Sequence, residues 1–130
     1  MQTTVDTTVA FEGKGLHLGE DVSVVVRPAP ADTGIVFRRM DVAAAIADVP
    51  ALWHRVIVSP LKTRIENAAG TSVSTIEHIM AALAGCGLHN ALIEVTGPEV
   101  PILDGSAAQF VEGLLRAGIR RLSTPLRVIE

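Results

Sequence analysis

The chain has 130 residues, enough for one compact domain with a buried core and short for a two-domain enzyme. A formal net charge of −3 with both signs interspersed excludes the basic field that nonspecific nucleic-acid binding requires, and an aromatic fraction of 3% leaves Ala, Val, Leu and Ile to fill the interior. The start, Met1 to Asp6, lacks the basic and apolar regions of a secretion signal, and no segment approaches the roughly 20 apolar residues of a membrane span, so a soluble, cytoplasmic protein is expected.

In chain order, Thr7 to Phe11 reads as a strand and Gly13 to Gly19 as a tight loop carrying His17. No helix pattern follows that loop, so it is not a dinucleotide fingerprint. From Asp21 to Arg27 the residues alternate, with Val22, Val24 and Val26 on one face, until Pro28-Ala29-Pro30 ends the strand. After the Asp32-Thr33-Gly34 turn, Ile35 to Arg39 forms another strand. Val42 to Leu52 is Ala-rich and contains Pro50, which suits a short helix or an irregular crossover. Val56 to Val58 and Ala91 to Val95 complete the central strands, and Leu126 to Glu130 reads as a last one.

Two helices are expected. Ser74-Thr75-Ile76-Glu77 has the form of a capping box, in which the hydroxyl serves an orphan N–H and the carboxylate reaches back, and Ile76, Ile79, Met80 and Leu83 follow as an apolar stripe with Gly85 and Gly87 as the stop. The second helix starts from Ser106, carries Phe110, Val111, Leu114 and Leu115 on its apolar side and ends at Gly118. These elements predict an α+β, two-layer sandwich: one mainly antiparallel sheet covered on one face by two helices, in a single domain spanning 1–130.

Glu77 and His78 fall in the first turn of the first helix and off its apolar stripe, while Ala81, Ala82 and Gly85 around His78 allow another surface to come close. A Glu at this position serves equally as a helix cap, and a lone surface His is commonly only that, so spacing leaves a cap and a catalytic pair both open. Cys86 is the single cysteine, which excludes an internal disulfide and leaves any metal to rely on His, Asp and Glu. Cys86 and His89 have ligand-like spacing, but they follow the helix at a turn, and the plain reading of Cys86 is a small buried apolar residue. Asp104-Gly105-Ser106 reads first as a turn feeding an N-cap.

Taken together, Gly15-Leu16-His17, Arg27-Pro28-Ala29-Pro30, Ser74-Thr75-Ile76-Glu77-His78, Ala81-Ala82-Leu83-Ala84-Gly85 and Pro101-Ile102-Leu103-Asp104-Gly105-Ser106-Ala107 resemble, in order and spacing, the zinc-dependent UDP-3-O-acyl-N-acetylglucosamine deacetylases of lipid A biosynthesis. That resemblance covers nearly the whole chain. It implies the first of two similar α+β domains with an active site between them, Glu77 as the general base that activates water, and His78 as one zinc ligand. It places His17, Lys62, Thr63 and Asp104 at substrate-binding positions. The second domain, which the resemblance credits with the remaining zinc ligands, a His acid and the residues that hold the acyl chain and diphosphate, is expected to be absent here, leaving the isolated chain inactive. The expected partners are UDP-3-O-acyl-N-acetylglucosamine and a second deacetylase domain or the full-length enzyme. Two departures stand out: Leu18 where the family usually has Ser or Thr, and Lys62 where a Cys is common, so that a long cation replaces a small apolar group. A stand-alone module that binds the nucleotide-sugar, the full enzyme or a regulator without turnover is the alternative.

Overall fold

The structure is a computed structural model that describes residues 1–52, 56–58 and 63–126. Among the described residues, ten strands and two α-helices follow in the order β1 (Thr3–Val5), β2 (Val9–Lys14), β3 (Asp21–Arg27), β4 (Ile35–Arg39), β5 (Asp48–Pro50), β6 (Val56–Val58), β7 (Thr63–Glu66), β8 (Ser72–Ser74), α1 (Glu77–Gly85), β9 (Ala91–Val95), α2 (Ala108–Ala117) and β10 (Ile119–Arg121). The α+β sandwich is as expected, but its strands divide among three sheets: five strands in the order β2-β3-β9-β4-β5, three in the order β6-β7-β8, and the pair β1-β10. All pairings between these strands are antiparallel except β4 with β9.

The alternation of β3 does what its pattern predicts. Val24 and Val26 are fully buried and sit opposite Val95 and Ile93 of β9, which are buried too. Phe37 on β4 lies beside Ile93 across the parallel pairing and opposite Val49 across the antiparallel one, so a single buried face runs over four strands. Between Val42 and Leu52 the chain makes one 3₁₀ turn at Ala44–Ile46 and then β5, whose Pro50 is tolerated because β5 is an edge strand. The expected Leu126 to Glu130 strand lies, beyond Leu126, outside the described residues.

Both helices differ from expectation at their ends or flanks. Ser74 belongs to β8, not to a cap: its N–H donates to the Pro98 carbonyl at 2.8 Å and its own carbonyl accepts from Val100 N at 3.0 Å. Those bonds hold Ser74 in extended pairing, so the capping box does not form, and α1 starts at Glu77 behind Ile76 with no side-chain cap. At the other end Leu88 N–H reaches the Leu83 carbonyl and Gly87 N–H the Ala84 carbonyl, a Schellman closure in which Gly87 takes φ 71°. Ile76, Ile79 and Leu83 are buried as the stripe predicts, with Met80 at its margin. On α2 the buried set is Phe110, Gly113 and Leu114, whereas Leu115 is 58% exposed: it is turned about 100° beyond Leu114, past the edge of a stripe narrower than expected. Ser106 does assist this helix, since its Oγ accepts from Ala108 N at 3.2 Å.

Candidate active site

Glu77 and His78 emerge from the first turn of α1, and both are half-buried. What fixes this turn is the first residue of β7. The Thr63 carbonyl accepts from Thr75 N at 2.8 Å and Ile76 N at 3.5 Å, while the Thr63 amide donates to Glu77 Oε2 at 3.3 Å. The carboxylate expected to reach back along its own helix therefore reaches across to a neighbouring strand. Its other oxygen and the His78 ring, adjacent in sequence, have no hydrogen-bond partner among the described residues.

Thr75, two residues before Glu77, is buried and has φ 59°, the left-handed region that a β-branched residue rarely enters. Its hydroxyl donates to Glu99 Oε2 at 3.1 Å. Glu99 is only 3% exposed, and its carboxylate also accepts from the backbone amides of His17, at 3.0 and 3.2 Å, and Leu18, at 3.3 Å. Sequence reading missed Glu99. Its partners are backbone groups and a hydroxyl far away in the chain, and such a contact leaves no local pattern; the usable signal is an unpaired acid beside Pro98 in a run that is otherwise apolar.

Of the expected site residues, Glu77, His78 and Thr63 are brought together directly, and His17 is tied to them through Glu99. Asp104 is exposed and turned to a local task, its Oδ1 accepting from Ser106 N at 3.0 Å and Ser106 Oγ at 2.9 Å ahead of α2. Lys62 lies outside the described residues. Cys86 is half-buried, and burial pushes its thiol pKa upward. His89 faces β1 instead of Cys86, accepting from Thr3 N through Nδ1 at 3.0 Å. A concavity of about 610 Å³ along β2 and β3, lined by Glu12, Lys14, Asp21, Ser23 and Thr96 among others, includes neither Glu77 nor His78. Among the described residues no three His, Cys, Asp or Glu side chains are grouped to hold a metal ion. Among the described residues no helix is long and apolar enough to cross a membrane.

Fold and site define an α+β domain that presents a carboxylate–imidazole pair at the start of a helix, braced by a strand and by a buried acid. The model of the UDP-3-O-acyl N-acetylglycosamine deacetylase family matches residues 2–130, and the chain belongs to that family. A protein of Phenylobacterium zucineum named UDP-3-O-acyl-N-acetylglucosamine deacetylase is 50% identical over 129 residues, covering 99% of this chain and 44% of the relative. Relatives of the same name in Vibrio cholerae and Geotalea uraniireducens are each 48% identical, over 129 and 122 residues, which are 99% and 94% of this chain and 42% and 39% of theirs. The chain thus spans less than half the length of these relatives.

Proposed function

We propose that this chain is the N-terminal part of a zinc-dependent deacetylase that hydrolyses the N-acetyl group of UDP-3-O-acyl-N-acetylglucosamine in the cytoplasm, for lipid A biosynthesis, with Glu77 as general base and His78 as one metal ligand. The observation that carries this reading is the arrangement at the start of α1. Within a chain matched to the family over residues 2–130, Glu77 is anchored by one oxygen to the Thr63 amide, and the adjacent His78 ring is left without a hydrogen-bond partner among the described residues. An anchored carboxylate with one oxygen open is suited to take a proton from a nearby water, and an imidazole with both ring nitrogens open is suited to a metal.

His78 fits zinc by its donor chemistry, but a catalytic zinc takes three protein ligands, so the remaining ligands are assigned to a second domain outside these residues. When bound, zinc supplies Lewis acidity to the amide carbonyl and lowers the pKa of water. The chain's own part is to hold the base and one ligand in fixed relation. His17, Lys62, Thr63 and Asp104 are assigned to substrate binding, and the position of Thr63 against the base supports its place in that set.

The test joins this chain to the part of the Phenylobacterium zucineum relative that it does not cover. Glu77→Ala should lower turnover by about 10²–10⁴-fold with zinc retained, because general-base contributions have that size. His78→Ala should lose the zinc. Full deacetylation by Glu77→Ala would reduce that residue to a helix-terminal anchor.

A further inference from the structure

Glu99 is the buried acid that neither the helix stripe nor the proposed chemistry requires. Its carboxylate accepts from two backbone amides and one hydroxyl, and no Lys or Arg pairs with it among the described residues. Removing a carboxylate from water is costly unless hydrogen bonds replace the lost hydration, and these charge-assisted bonds do so. The three donors come from two places: His17 and Leu18 in the loop between β2 and β3, and Thr75 in the turn that feeds α1. The main chain reinforces the join, because Glu99 pairs with Ser74 in a parallel bridge and Pro101 with Gly15 in an antiparallel one. Gly15 makes room for the acid: a Cβ at that position would lie 2.1 Å from Glu99 Oε1.

We propose that Glu99 is a positioning residue that couples the loop bearing His17 to the start of α1, holding Thr75 in its left-handed conformation so that Glu77 and His78 leave the helix at a fixed angle. Its consequence for turnover rests on the deacetylase reading above; the coupling itself does not. The acid is suited to this task because one carboxylate can accept from both segments at once, whereas an apolar residue of the same size would fill the space without fixing either.

Two measurements test the proposal. In the chain itself, hydrogen exchange followed by NMR reads the coupling without any activity. Glu99→Ala should speed exchange about 10-fold or more at His17 and Leu18, and also at Thr75 and Ile76, whose amides are held by the Thr63 carbonyl. Acceleration confined to His17 and Leu18 would overturn the coupling. Gly15→Ala should reproduce the same pattern, and the double variant should be no worse than Glu99→Ala alone, since the added methyl displaces only the carboxylate; additive effects count against the proposal. In the joined two-domain protein, turnover is counted per folded, zinc-loaded molecule. Glu99→Ala and Thr75→Val should lower kcat about 10- to 100-fold, as expected for a small misplacement of reacting groups, with Glu99→Gln partly rescued because its amide oxygen still accepts from His17 and Leu18. Unchanged kcat per loaded molecule would make Glu99 a stability residue only. A joined protein in which even the unaltered chain deacetylates nothing would defeat the deacetylase reading, and the exchange pattern would still decide the coupling.

Discussion

At the scale of single residues, one charged side chain with several hydrogen bonds joins segments far apart in the chain. Arg39 at the end of β4 shows the same economy as Glu99. Its guanidinium donates through Nε and Nη2 to both carboxylate oxygens of Asp41 at 2.7 Å and through Nη1 to the Ser72 carbonyl of β8 at 3.0 Å, so one side chain links the large sheet to the strand that leads into α1. The hydrogen bond from Arg39 holds the Asp41 carboxyl below its ordinary pKa. A carboxyl whose pKa is lowered by folding binds fewer protons in the native state than in the unfolded one, so its stabilisation is present above the unfolded value of 3.8 and is lost as pH falls through the native value. Asp41→Asn should therefore lower the unfolding temperature at neutral pH, by an amount matching about 0.2–1 kcal/mol for a partly exposed pair, and the gap to the parent should close in acid. Thermal melts of both proteins from pH 7 to well below pH 3.8 check this, and a gap that does not narrow below that value would assign the effect to something other than the ion pair.

At the scale of elements, α2 is seated on β2 by a close approach that only glycine permits. A Cβ at Gly113 would stand 2.5 Å from Cε1 and Cζ of the Phe11 ring, and that ring is itself held edge-on against Phe110 at a centroid distance of 4.9 Å. Gly113→Ala would add helix propensity of about 0.5–1 kcal/mol. Overpacking against the partly buried Phe11 ring costs about 1–3 kcal/mol, so net destabilisation is expected. Chemical denaturation should show it, and adding Phe11→Leu should recover part of the loss; a Gly113→Ala chain more stable than the parent would mean that α2 shifts freely on the sheet. Phe110→Ala, which empties a fully buried site, should cost about 3–5 kcal/mol. The elements also show where sequence legibility stops. Strands β3, β4 and β9 can be read to their ends because five to seven residues carry a visible alternation or apolar run. Strands β1, β5, β8 and β10 have three residues each and, unlike the equally short Val-Ile-Val run of β6, show neither a period nor an apolar run, so their pairing is decided by distant partners. The Ser74 cap is misread for the same reason: its sequence suits a helix start, but the 98–100 segment claims its backbone first. Glu77 and His78 are legible as a motif, whereas the strained Thr75 and the acid that holds it become visible only once both loops are in place.

At the scale of the whole molecule, the two ends of the described chain are joined at one buried residue. Gln2 donates its amide to the Thr124 carbonyl and accepts from Leu122 N, while its side chain bonds Asp32, Asn90 and the Pro125 carbonyl. Together with the pairing of β1 and β10 this closes the fold around a core shared by both helices and the five-stranded sheet, so the chain should unfold alone in one cooperative step. A folded chain need not be a complete metal site. His78 offers one imidazole at the start of α1; His89 is already held by β1, Asp104 by the turn before α2, and Glu99 by the His17 loop, and no three candidate ligands are grouped among the described residues. Catalytic zinc takes three protein ligands, and a single imidazole with water as the other donors competes poorly with full hydration of the ion. The 130-residue chain should accordingly fold but show no saturable zinc binding in the submicromolar range and no deacetylation. Calorimetric titration with zinc near neutral pH, on tag-free protein, reads this directly. A one-to-one submicromolar site that vanishes in His78→Ala would overturn it, and sedimentation of the loaded protein would then tell whether a second copy supplies the missing ligands or the same chain does.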